Sequence, residues 1–191
     1  MQAFLIATGL VALAEIGDKT QLLAFMLAAR FKRPGPIVLG IFVATVFNHT
    51  AASALGAWLT GLVSPTALRW GLGLSFIAMA GWMLIPDKLD EDDAPKSGHG
   101  VFVTTVIAFF LAEMGDKTQI ATVALAARFP ADFVGVVAGT TFGMMLANVP
   151  AVLVGEKLAQ KLPVKLVHRV AAVIFAVLGV ATLVAGGAVL R

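Results

Sequence analysis

Long apolar stretches, separated by short polar or proline-containing turns, run along the whole chain. A transmembrane helix needs about 20 predominantly apolar residues, and six stretches are close to that length or longer. The six predicted spans are residues 3–29, 37–59, 68–85, 101–127, 133–155 and 166–190. The pattern therefore predicts an all-α integral membrane protein with six transmembrane helices.

The first predicted span is too long for a straight crossing. As a continuous helix, residues 3–29 would measure about 40 Å, whereas the hydrocarbon core of a bilayer is about 30 Å thick. Gly17 lies near the middle of this span, inside a polar block. Because glycine weakens a helix and allows close approach of other atoms, we expect the span to be tilted or broken at Gly17.

The polar block of the first span returns in the fourth. Residues 13–31 align without gaps with residues 111–129, and 13 of the 19 positions are identical. Each half of the chain holds three predicted spans, and an odd number of spans places two copies in opposite orientations. The sequence therefore predicts two inverted three-helix repeats, residues 1–86 and 100–191, joined by an acidic linker, residues 87–99. Many secondary transporters have this organisation.

Basic residues outside the two blocks are distributed unevenly between the two predicted sides of the membrane. One side carries nine of them, namely Arg30, Lys32, Arg33, Lys88, Lys96, Lys157, Lys161, Lys165 and Arg169. The other side carries Arg69, Arg128 and Arg191. Since cytoplasmic loops are enriched in lysine and arginine, we expect both termini outside the cell and the acidic linker in the cytoplasm.

Composition supports a membrane protein and excludes several other classes. The chain is 59% hydrophobic and 13% charged, which is far from the composition of ordinary soluble domains. It has no cysteine, so disulfide frameworks, thiolate metal sites and cysteine nucleophiles are excluded. The net charge of +3 is explained by membrane topology. We therefore expect the lipid bilayer, and no nucleic acid, as a partner.

The repeated blocks contain charges at membrane depth, which is costly. A charged residue at the bilayer centre costs roughly 2.5–3.5 kcal/mol on insertion scales, so an intramembrane acid indicates a functional site. On a continuous helix, Glu15 and Asp18 would share a face that Gln21 continues. The second block repeats this spacing. The predicted metal-binding residues are Glu15, Asp18, Gln21, Glu113, Asp116 and Gln119.

Inverted repeats bring such blocks together near the membrane midplane. Carboxylate and amide oxygens are the ligands that Mg²⁺, Ca²⁺ and Mn²⁺ prefer. Because protons compete with metal ions for carboxylates, such a site can exchange a divalent cation for protons. The residues predicted to assist the metal-binding residues are Thr20, Thr118, Lys19, Lys117, Asn48 and Asn148.

Two structural interpretations are alternatives to a role of these residues in cation binding. Glu15 with Lys19, and Glu113 with Lys117, have the spacing of ion pairs within a helix, which would merely lower the cost of insertion. His49 has no counterpart in the second half, and we expect it to be a hydrogen-bonded packing residue.

Two Glu-x-Gly-Asp-Lys-Thr blocks, at residues 15–20 and 113–118, in a chain of six spans resemble the GDT-type family of manganese and calcium transporters. The resemblance implies export of Mn²⁺ or Ca²⁺ in exchange for protons, with the four acids binding the cation. The short chain resembles the prokaryotic members, which implies Mn²⁺ efflux across the plasma (inner) membrane.

We therefore expect a secondary transporter that works by alternating access, without enzymatic activity or a bound cofactor. A passive cation channel built from the same acids is the main alternative. An intramembrane lipid-diphosphate hydrolase is a weaker one, because it needs arginines to clamp phosphate and the blocks contain none. The sequence leaves the oligomeric state open.

Overall fold

The computed structural model describes residues 1–85, 100–154 and 163–184. The acidic linker predicted at residues 87–99 lies outside them. The described part contains eight α-helices and a short 3₁₀ helix, Pro130–Asp132. The α-helices are α1 (Gln2–Glu15), α2 (Lys19–Phe31), α3 (Pro34–Leu62), α4 (Pro65–Trp82), α5 (Val101–Glu113), α6 (Lys117–Arg128), α7 (Phe133–Val154) and α8 (Val164–Val184).

The first predicted span is broken at Gly17, as expected, and the fourth is broken at the matching Gly115. Both glycines have a positive φ, +83° and +76°, a conformation that other residues rarely adopt. The residues on either side of Gly17, Ile16 and Asp18, are extended. Each span therefore consists of two half-helices separated by a short irregular segment.

The break corrects one prediction. Glu15 is the last residue of α1, and Asp18 immediately precedes α2. The two acids were expected to share a face of one helix, and that expectation was wrong because the backbone leaves the helical conformation between them. The same holds for Glu113 and Asp116, which end α5 and precede α6.

Three segments of the described part are long and apolar enough to cross a membrane: α3, α7 together with its preceding 3₁₀ turn, and α8. The half-helices α1 and α5 are apolar but shorter. The number of six spans therefore stays a prediction.

Burial follows the pattern of a membrane protein. Large apolar side chains such as Phe47, Trp58 and Val134 are exposed, whereas many polar and charged side chains are buried. Soluble proteins rarely expose apolar surface of this extent. The exposed apolar surface suits contact with lipid, and the buried polar groups form the interior.

The two repeats interlock. Helix α1 of the first repeat packs along α7 of the second, and α5 of the second packs along α3 of the first. Helix α1 lies so close to α7 that a Cβ atom at Gly139 or Gly143 would be 2.5 or 2.7 Å from a backbone oxygen of α1. The Thr8 hydroxyl donates a hydrogen bond to the Gly139 carbonyl, 3.1 Å away. Likewise, Gly40 of α3 lies against Thr105 of α5.

The third helices of the two halves, α4 and α8, form an antiparallel pair. Gly73 packs against Leu183 and Ile77 packs against Gly179. The ring centroids of Phe76 and Phe175 lie 6.2 Å apart. Opposite directions for matching helices are what an inverted repeat requires. The pair shares a hydrophobic core with α1 and α6, whereas α2, α3, α5 and α7 share a second core.

Candidate functional site

Both helix breaks are held by the same hydrogen bonds. The hydroxyl of Thr20 donates to Glu15 Oε2, and that of Thr118 donates to Glu113 Oε1. In each block the glutamine side-chain oxygen accepts from the glycine backbone N–H, at 2.9 Å in the first and 2.8 Å in the second. The threonine and glutamine of each block therefore fix the broken segment and orient its glutamate.

The four acids of the two blocks are buried. Glu15 lies within electrostatic range of Glu113 and Asp116, so acids of the two repeats lie near one another. One carboxylate oxygen on each of these three acids has no hydrogen-bond partner among the described residues. Since a buried acceptor without a partner is costly, these oxygens are suited to bind a cation or a proton.

One lysine crosses between the repeats. Lys117 Nζ lies 2.7 Å from Asp18 Oδ1, and both side chains are 1% exposed. This ion pair joins the second block to the first. The structural alternative had instead paired Lys117 with Glu113 of its own block. Lys19, at the matching position in the first block, is only partly buried, and the described residues hold no ion pair between it and Asp116. The two lysines are therefore not equivalent in this conformation.

Two side chains from the long helices approach the glutamates. Asn148 Nδ2 lies 3.5 Å from Glu15 Oε2 and also donates to the Met144 carbonyl at 3.1 Å. His49 Nε2 lies 3.9 Å from Glu113 Oε1. The matching partner of Asn148 is thus His49, not Asn48, which instead donates to the Phe110 carbonyl at 3.2 Å.

His49 was not predicted as a site residue because Asn48, and not His49, was matched with Asn148 of the second half. Counted from the helix starts, Pro34 in α3 and Phe133 in α7, His49 and Asn148 occupy the same place. The expectation that His49 is hydrogen-bonded was wrong, since neither ring nitrogen has a hydrogen-bond partner among the described residues.

The four acids are not arranged around one common coordination centre in this structure. Among the described residues, no three histidine, aspartate or glutamate side chains are close enough to hold one metal ion. The Lys117 ammonium lies against Asp18, and the threonine hydroxyls occupy one oxygen of each glutamate. The structure therefore gathers the predicted residues in one region without a closed coordination shell.

The two breaks differ in how they are covered. At the first, His168 Nε2 donates to the Ile16 carbonyl at 2.7 Å, and Val164 packs against Gly17. Both residues belong to the first turns of α8, and sequence reasoning assigned neither of them a role. At the second break, Met114 is exposed, and a Cβ atom at Gly115 would meet no atom of the described residues within 4 Å. The site is therefore asymmetric even though its two blocks are nearly identical.

Comparison with known proteins identifies the family. Residues 3–91 and 101–189 each match the model of the family described as "Divalent cation/proton antiporter GDT1". A Vibrio cholerae protein named "Putative manganese exporter" is 50% identical over 95% of this chain and 90% of its own length. A GDT1-like protein of Synechocystis is 29% identical over 92% of this chain and 93% of its own length.

GDT1-like protein 3 of Oryza sativa is also 29% identical, over 91% of this chain and 70% of its own. No solved structure matches. The two matches to the family model cover nearly the whole chain and coincide with the two interlocked halves of the fold. The chain belongs to the GDT1 family of divalent cation/proton antiporters.

Proposed function

We propose that this protein exports a divalent cation, Mn²⁺ in preference to Ca²⁺, from the cytoplasm across the plasma membrane in exchange for protons. The observation that carries the proposal is that buried acids from both repeats lie near one another. Three of them have a carboxylate oxygen without a hydrogen-bond partner among the described residues. The family match supports a cation/proton antiporter, and the name of the Vibrio cholerae relative favours manganese.

In this proposal Glu15, Glu113, Asp18 and Asp116 bind the cation, and Gln21, Gln119 and the block threonines hold the broken segments in place. Lys117 pairs with Asp18, so a cation that binds Asp18 competes with the lysine ammonium for this carboxylate. Protons compete for the same carboxylates. The same carboxylate oxygens bind protons when they face one side of the membrane and the metal ion when they face the other. Export of the metal ion is thereby coupled to import of protons.

Alternating access needs a part that moves, and the α4–α8 pair is the candidate. It packs on the half-helices α1 and α6, whereas α2 and α5 belong to the other core. In an inverted repeat, exchanging the conformations of the two halves yields the opposite-facing state. We propose that the pair then packs on α2 and α5 and opens the site to the other side.

Transport by purified protein in liposomes tests the proposal. Vesicles with an acidic interior, diluted into neutral buffer with Mn²⁺, should accumulate the ion above its external concentration while protons leave. Dissipating the pH gradient with an ionophore should abolish accumulation. Mn²⁺ entry that stops at equal concentrations and ignores the pH gradient would instead indicate a passive channel.

Membrane orientation gives a separate prediction. The native chain lacks cysteine, so a single cysteine reports its own accessibility. Thr66→Cys, in the exposed turn that begins α4, should react with an impermeant thiol reagent on intact cells. Ser97→Cys, in the predicted cytoplasmic linker, should react only after the cells are permeabilised. The reverse result would overturn the orientation with both termini outside.

A further inference from the structure

We propose that His49 is a direct ligand of the transported cation, and that its imidazole favours Mn²⁺ over Ca²⁺. The inference rests on the proposed cation transport and adds a residue outside both repeated blocks.

Burial without a partner is the first argument. The His49 side chain is fully buried, and neither ring nitrogen has a hydrogen-bond partner among the described residues. A buried polar group without a partner destabilises the fold. By contrast, the other buried histidine of the described part, His168, uses its ring nitrogen to bind the Ile16 carbonyl. Of these two histidines, His49 is therefore the one whose ring nitrogens are available to bind a ligand.

Position is the second argument. His49 Nε2 lies 3.9 Å from Glu113 Oε1, too far for a hydrogen bond. Two atoms that bind one ion at about 2.1–2.4 Å are about 3 Å apart at right angles and up to about 4.5 Å apart when opposite. A cation can therefore lie between His49 and Glu113 after small side-chain movements. His49 also lies within electrostatic range of Glu15.

Asymmetry between the repeats is the third argument. Asn148 takes the matching position beside Glu15, and its Nδ2 is held by the Met144 carbonyl while its Oδ1 has no partner among the described residues. The long helices thus offer one imidazole nitrogen and one amide oxygen to a site otherwise made of carboxylates. Ca²⁺ takes oxygen ligands. Mn²⁺ also prefers oxygen ligands, but as a first-row transition metal it binds sites that include nitrogen as well. A single nitrogen therefore shifts the preference of the site towards Mn²⁺.

Pulsed electron paramagnetic resonance on purified protein loaded with Mn²⁺ tests the inference directly, because it detects nitrogen bound to the ion. The wild-type protein should show a directly bound ¹⁴N, and the signal should disappear in His49→Gln. In the matched control His168→Gln, it should persist. Bound Mn²⁺ without nitrogen coupling in the wild type would overturn the inference and leave the proposed function intact.

Calorimetric titration gives a second readout. In His49→Gln, Mn²⁺ affinity should fall about tenfold or more, while Ca²⁺ affinity changes less than about threefold, since glutamine offers an oxygen in place of the nitrogen. Equal losses for both ions would indicate a packing role and overturn the inference. A wild-type protein that binds neither ion would refute the inference and the proposed function together.

Discussion

Replacing either Glu15 or Glu113 by glutamine is expected to abolish transport almost completely, with a loss of about 100-fold or more. Glutamine keeps the shape of the side chain and an oxygen that Thr20 or Thr118 can bind, so the helix break should survive. It removes the negative charge and the proton-binding site. Mn²⁺ uptake into liposomes, measured at matched protein density, checks the result.

The double variant distinguishes one shared site from two. Because Glu15 lies within electrostatic range of Glu113 and Asp116, residues from both halves should act as a unit, and the double variant should be scarcely worse than either single one. Asp132→Asn is the control, since this acid lies in the turn before α7, partly exposed, and its loss should leave transport near the wild-type level. Two single variants that each keep about half the activity would mean independent sites.

Lys117→Met is expected to destabilise the protein and stop transport, whereas Lys19→Met should have a much smaller effect. Removing one partner of a buried ion pair costs about 3–5 kcal/mol, because a charge is left buried without its counterion. Lys117 is 1% exposed and pairs with Asp18 at 2.7 Å, whereas Lys19 is only partly buried. Thermal unfolding in detergent and liposome transport measure the two effects.

A compensating variant separates the lysine's structural role from its part in transport. Asp18→Asn combined with Lys117→Met removes both charges and should recover much of the lost thermal stability. Transport should stay absent, because Asp18 is a proposed cation ligand. Equal destabilisation by Lys19→Met and Lys117→Met would contradict the asymmetry between the two lysines.

The doubled block could be found from sequence because its chemistry is local. Charges inside apolar stretches and a repeat with 13 identical positions indicate buried acids and a two-fold arrangement without any coordinates. The length of the first span and the position of Gly17 also predicted the break, which the positive φ of Gly17 explains.

What sequence could not provide depends on contacts between distant segments. The face shared by Glu15 and Asp18 was inferred from a continuous helix, and the break removes it. The pair Asp18–Lys117 joins residues 99 positions apart, and the position of His49 opposite Asn148 depends on where α3 and α7 begin. The bond from His168 to Ile16 likewise requires α8 to pack on the first break.

The number of Mn²⁺ ions bound per chain tests the central claim, that both repeats build one cation site. Calorimetric titration of purified protein should give one Mn²⁺ per chain for the wild type, and no measurable binding for either Glu15→Gln or Glu113→Gln. Two ions per chain in the wild type, with one retained in each single variant, would show that each repeat binds its own cation and would contradict the shared site.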